Sequence, residues 1–247
     1  FIVSREVVPE AEWWAMCPPG VSIHAARVAA PAPWATWRDD RSGVDLAPDM
    51  ARGCEAFRAI GLNVAALAHS SSSFAGGPGW DDAVIEAMAR QLAPGTVATT
   101  NGLDTRLALA RLGVSRPFLV MPAWMTDKLI ESAVAYYAAF GIAIPSASRY
   151  VPPAPWRDIP PQQLYERDMA TAQETTLLFE QVCRECPADA DSILLAGTGF
   201  RCSAIIEALE QRLGRPVVAA NQASLWRGLD IAGVKASIQG YGRLLAG

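Results

Sequence analysis

The chain alternates short apolar runs with longer stretches whose apolar positions recur at helical spacing. The runs Phe1–Val3, Val21–Ala25, Val64–Ala68, Thr96–Thr99, Phe118–Met121, Ile142–Ile144, Ile193–Ala196 and Val217–Ala219 are apolar throughout instead of alternating. That pattern predicts parallel strands whose two faces are both covered by helices. Between them, "TDKLIESAVAYYAAFG" (126–141) keeps Leu129, Ile130, Ala133, Val134, Tyr137 and Phe140 on one face and ends at Gly141. "RCSAIIEALEQRLG" (201–214) does the same with Ile205, Ile206, Leu209 and Leu213 before Gly214. Both read as amphipathic helices with a glycine stop. The Pro-rich "YVPPAPWRDIPP" (150–161) predicts an irregular connection. Repeated β–α alternation predicts an α/β fold on parallel sheets.

Composition narrows the class. With 247 residues, 51% of them hydrophobic and 19% charged, the chain can bury a large core. The net charge of −4 is mild and Lys and Arg form no basic run, so no nucleic-acid footprint is expected. No apolar run approaches the ~20 residues of a spanning helix, and no membrane partner is expected. "FIVSREV" reads as a first strand, without the basic-then-apolar layout of a signal peptide. Five cysteines, an odd number in a chain that needs no staples, point to a reducing, cytoplasmic setting. Cys183 and Cys186 form a C-x-x-C, but only His24 and His69 exist to complete a zinc site, so no metal is expected.

Two junctions carry the candidate chemistry. "NVAALAHSSSSF" (63–74) and "SILLAGTGFRCSA" (192–204) each run from an apolar strand through small polar residues into a helix. Such junctions place ligands at the carboxyl ends of parallel strands. "GGPGW" (76–80) lacks the Lys-Ser/Thr of a phosphate loop, "GTGF" (197–200) is an incomplete dinucleotide fingerprint, and no G-x-S-x-G elbow exists. His69 beside a run of serines remains, an imidazole able to exchange protons next to hydroxyls able to hold a carboxylate.

These segments resemble the aspartate/glutamate racemase superfamily, in the branch of maleate cis–trans isomerases, ectoine-utilisation homologues and arylmalonate decarboxylases. "SREVVPEAEW" (4–13) is similar to the isomerases' turn into a Glu-x-Glu-aromatic helix, and "PPGVSIHAARV" (18–28) to their second strand. "AHSSSSF" (68–74) stands where isomerases have A-C-T-S-G-S and decarboxylases G-T-S-x-S-F. "AGTGFRC" (196–202) resembles the region of the second cysteine, and "RPVVAANQASLW" (215–226) and "GYGRLL" (240–245) resemble the segments C-terminal to it. The resemblance implies two similar Rossmann-like parallel-sheet lobes related by a pseudo-twofold, with the active site in the cleft between them. The lobes are expected at 1–99 plus 222–247 and at 100–221. It also implies a small carboxylate substrate, no cofactor, and possible assembly as a homo-oligomer.

The departures from the family matter as much. His69 takes the first cysteine position and Gly197 the second, Glu6 replaces an asparagine, and Trp124 or Met125 replaces a tyrosine. Two-thiol racemisation and cysteine addition to maleate therefore cannot operate. What the resemblance leaves is a cradle of Ser70, Ser71 and Ser73 opposite Gly197, Thr198 and Gly199, with Trp124 alongside and His69 and Glu6 as catalytic groups. Asn221 and Gln222 are expected to position the crossover between lobes. A decarboxylase needs only one proton donor, so a cofactor-free lyase acting through an enediolate, with His69 handling the proton, is the first expectation. The alternatives are an isomerase or racemase, a hydrolase or hydratase using Glu6 and His69, and a carboxylate-binding protein without turnover.

Overall fold

The computed structural model describes residues 1–247. The first half contains β1 (Ile2–Val3), α1 (Val8–Met16), β2 (Arg27–Val28), β3 (Ala35–Trp37), β4 (Val44–Leu46), α2 (Pro48–Ile60), β5 (Val64–Leu67), α3 (Ser70–Gly76), α4 (Trp80–Ala89) and β6 (Val97–Thr100). Then come α5 (Asn101–Arg111), β7 (Pro117–Met121), α6 (Asp127–Ala138), β8 (Ala147–Arg149), α7 (Pro161–Glu166) and α8 (Thr175–Glu185). The chain closes with β9 (Ser192–Leu195), α9 (Ile206–Leu213), β10 (Val217–Ala219), α10 (Ala220–Ile231) and α11 (Arg243–Ala246).

The strands form two parallel sheets of the same order. In the second half the order is β8–β7–β9–β10, every pair parallel. β7, β9 and β10 are buried at every residue, which is why their sequences show no polar alternation. In the first half β1 pairs β2 and β5 pairs β6, both parallel. The Phe1 nitrogen donates to Ala66 O at 2.7 Å and the Ala68 N–H donates to Phe1 O at 2.9 Å, joining the pairs as β2–β1–β5–β6. Each sheet therefore runs second–first–third–fourth in chain order. A core of 35 buried residues surrounds the second sheet and a separate core of 16 the first, so each sheet packs its own interior.

The predicted helices are present: Gly141 and Gly214 take positive φ at the ends of α6 and α9, as their sequences require. Residues 150–160 carry no regular element. Two strand expectations are corrected. Val21–Ala25 carries no regular element; pairing with β1 begins at Arg27. Ile142–Ile144 is not a strand either. The ladder with β7 starts at Ala147, beyond Pro145, which has no N–H to offer. An antiparallel hairpin, β3–β4, was not expected from the pattern of the sequence. It seats Trp34, fully buried, at the edge of the first junction.

The crossover helices α5 and α10 pack together and are tied by polar groups. Asn101 donates to Ala220 O (2.8 Å) and Ser224 Oγ (2.9 Å), and Ser224 donates to Asp104 (2.7 Å). Asn221 donates to Glu12 (2.7 Å) and Thr198 O (2.9 Å), while Gln222 donates to Tyr241 O (2.6 Å). Glu12 also accepts from the Cys202 and Ser203 amides, both at 2.7 Å, closing the turn before α9.

Candidate active site

The carboxyl ends of β5 and β9 open into one cleft of about 380 Å³. It is lined on one side by His69, Ser70 and Ser71 and on the other by Trp124, Thr198 and Gly199, with Glu6 entering from the loop after β1. Seven of the nine residues expected at the site thus share one cleft. Ser73 and Gly197 do not line it. Ser73 is fully buried and donates to Asp81 at 2.7 Å, in a cluster with Thr100 and Tyr136. Gly197 has φ +121°, and a Cβ there would lie 2.8 Å from Pro122 Cγ, so the position accepts no side chain without displacing Pro122.

His69 stands at the start of α3, stacked on the Trp34 indole at 4.2 Å between centroids. The Trp34 backbone N–H donates to Ser72 Oγ at 3.0 Å, leaving the Ser72 proton for His69 Nδ1 at 2.9 Å. Nδ1 is the one acceptor beside the buried Ser72 hydroxyl, and the tautomer that satisfies that hydroxyl carries its proton on Nε2, which has no protein partner. Desolvation against this wall pushes the His69 pKa down to about 3. That leaves His69 uncharged at neutral pH.

Glu6 behaves in the opposite sense. It is 5% exposed, its Oε2 has no hydrogen-bond partner, and burial raises its pKa to about 7. Its Oε1 lies against Gly199: a Cβ at that glycine would be 2.5 Å away, so only glycine leaves room for the carboxyl group. Ser71 reaches only Met125 Sδ at 3.9 Å, and the Thr198 hydroxyl has no protein partner, so both are free for a ligand. Ser70 donates to Asn101 Oδ1 at 2.5 Å, so its proton is committed to the crossover.

Trp34, Ser72, Met125, Leu129, Tyr165 and Arg5 complete the surroundings of the site. Ser72 stands three residues after His69, the spacing that lets a helix's first turn meet its cap; nothing local in the sequence marks Tyr165. His24, expected mid-strand, is exposed in a loop and bonds only Ser22 at 3.1 Å. A second cavity, about 350 Å³, lies between residues 20–25 and the start of β5, and its lining is mostly apolar. No group of three or more His, Cys, Asp or Glu converges in a way that could hold a metal ion, and no helix is long and apolar enough to cross a membrane.

Residues 43–245 match the arylmalonate decarboxylase family. No curated protein sequence matches the chain. Among solved structures, an arylmalonate decarboxylase is 26% identical with a TM-score of 0.65, over 80% of each chain. The maleate isomerase Iso from Pseudomonas putida S16 is 19% identical with a TM-score of 0.81, over 100% of this chain and 96% of that one. A mutant Nocardia farcinica maleate cis–trans isomerase, with a covalently bound succinylcysteine intermediate, is 19% identical with a TM-score of 0.76, over 99% and 96%.

Proposed function

The chain belongs to the arylmalonate decarboxylase family, and from that premise we propose that it is a cofactor-free decarboxylase of small substituted malonates in which Glu6, not a thiol, supplies the proton. The ligand lies between a lobe of residues 1–99 plus 222–247 and one of 100–221. None of the five cysteines lines the cleft, so a cysteine adduct of the kind seen in the Nocardia isomerase has no nucleophile here.

The observation that carries the reading is the pairing of opposite perturbations on one cleft: a carboxyl that keeps its proton to about pH 7 and an imidazole that stays neutral. In the reaction, the C–C bond to one carboxylate breaks and CO₂ leaves. The electron pair moves onto the remaining carboxylate, forming an enediolate. His69 Nε2–H, Ser71 and Thr198 donate to its oxygens, where the negative charge grows. Glu6 then delivers its proton to carbon and is reprotonated by solvent. Trp34, Trp124, Met125 and Leu129 give the cleft an apolar wall suited to an aryl or alkyl substituent, and that wall favours loss of the charged carboxylate as neutral CO₂.

The test is incubation with aryl- and alkylmalonates, followed by NMR. Conversion to the monoacid with release of CO₂ is the expected result. A malonate that raises Tm yet remains intact over days would replace the enzyme by a binding protein, and solvent ¹⁸O in the product would replace the lyase by a hydrolase.

A further inference from the structure

Tyr165 is the one phenol on the cleft. It comes from α7, after the Pro-rich connection, and reaches the site from the opposite side to the His69 junction. Two contacts seat its ring. Trp124 packs on its ring at 5.8 Å between centroids, and the Arg5 guanidinium lies 5.5 Å from its centroid. Arg5 in turn bonds Asp168 at 2.7 Å and Glu166 O at 3.2 Å, drawing the end of α7 onto the loop that carries Glu6. Trp124 and Glu6 both abut Gly199, which closes the circuit around the two oxygens. The Tyr165 hydroxyl and Glu6 Oε2 are both buried, and neither has a hydrogen bond satisfied elsewhere. Two buried, unpaired polar oxygens on one cleft are costly unless they serve each other or a ligand.

We propose that Tyr165 is the positioning residue for Glu6: its hydroxyl is turned to the Glu6 carboxyl and donates to it once that group has given up its proton. This deepens the decarboxylase reading and rests on its assignment of Glu6. The hydrogen bond favours the ionised form, so it eases release of the proton to carbon and limits how far burial raises the acid. Burial first, and then the Glu6 carboxylate, hold the phenol protonated well above neutral pH, so Tyr165 remains a donor throughout. The other charged or titratable groups facing Glu6 are few. They are Arg5 and Asp168, paired with each other, Arg27, which donates to Glu6 O at 2.9 Å, and the neutral His69 across the cleft.

The experiment is an NMR titration of protein labelled with ¹³C at the glutamate side-chain carboxyls, with E6Q identifying the Glu6 signal by its loss. In Tyr165→Phe the Glu6 midpoint is expected to rise by about one unit, the loss of one hydrogen bond to a charged group. 3-Fluorotyrosine placed at 165 keeps the shape with a more acidic phenol and is expected to move the midpoint down; it serves also if the phenylalanine variant does not fold. The alkaline limb of the kcat/KM profile is expected to follow the NMR midpoint. A midpoint that is unchanged in both variants, or that falls in Tyr165→Phe, overturns the role of Tyr165. The titration needs no substrate, so a shifted midpoint in a protein inert toward malonates would support Tyr165 while removing the decarboxylase reading. Turnover with an unmoved midpoint would do the reverse.

Discussion

Glu6 and His69 are ordinary residue types, and they owe their chemistry here to the walls around them. On the proposed reading Glu6 acts in its protonated form, so kcat/KM is expected to be flat below about pH 7 and to fall tenfold per unit above it. Glu6→Gln is expected to lower kcat by ~10²–10⁴-fold. The same substitution has a stability signature. The folded acid has its pKa raised from 4.5 to about 7, so this ionisation costs nothing below pH 4.5, destabilises the fold progressively between pH 4.5 and 7, and reaches its full cost above 7. The neutral glutamine is therefore expected to raise stability at pH 8 by up to about 3 kcal/mol, and hardly at pH 4, which melting at the two pH values would check. His69→Ala is expected to cost ~10²–10³-fold in kcat as a lost donor while leaving the alkaline limb in place; a displaced limb would make His69 the acid after all. The position of His69 was legible because a rare imidazole follows an apolar strand, but its charge state was not. That depends on Trp34, distant in sequence, whose indole becomes the wall. Tyr165 was invisible for the same reason: a tyrosine in a short polar helix becomes a cleft residue only when Arg5 and Trp124 seat it.

Strands and helices were legible where burial is uniform. β5, β7, β9 and β10 stand close to their expected places because an all-apolar run between helices has one good solution. The β3–β4 hairpin was missed since its strands are short and mixed, joined by the polar turn "RDDRSG". Its value lies in the Trp34 amide, which donates to Ser72 Oγ and holds that hydroxyl beside His69 Nδ1. Ser72→Ala is expected to lower kcat about tenfold through loss of that orientation and to cost about 1–3 kcal/mol of stability, because the buried Trp34 N–H loses its acceptor; a KM effect alone would argue for a ligand contact instead. The serine run also divides its labour by helix face: Ser71 toward the cleft, Ser73 into the Asp81 cluster. At the crossover, Asn101 makes three hydrogen bonds with no exposed surface. Asn101→Ala is expected to cost about 2–4 kcal/mol in denaturant unfolding, and to free the Ser70 hydroxyl.

Across the whole molecule, two sheets of equal strand order bring the ends of β5 and β9 to one opening. The opening was legible from the two strand–turn–helix junctions; the strand order and the shape of the opening were not, because segments after five strands, with Tyr165 of α7, build it. A malonate bound there at 100 times its Kd is expected to add about 2.7 kcal/mol to stability, seen as a concentration-dependent rise in Tm. The two junctions nevertheless no longer mirror each other in chemistry. Gly197, held at φ +121° with Pro122 against the place of its missing Cβ, cannot take back a side chain by one substitution. Position 197 therefore offers no acid or base of its own, and on the proposed reading the one proton donor beside this junction is Glu6, seated against Gly199. With a single donor the proton reaches the carbon from one side, so a prochiral centre is expected to leave with one handedness, which chiral chromatography of the monoacid would check.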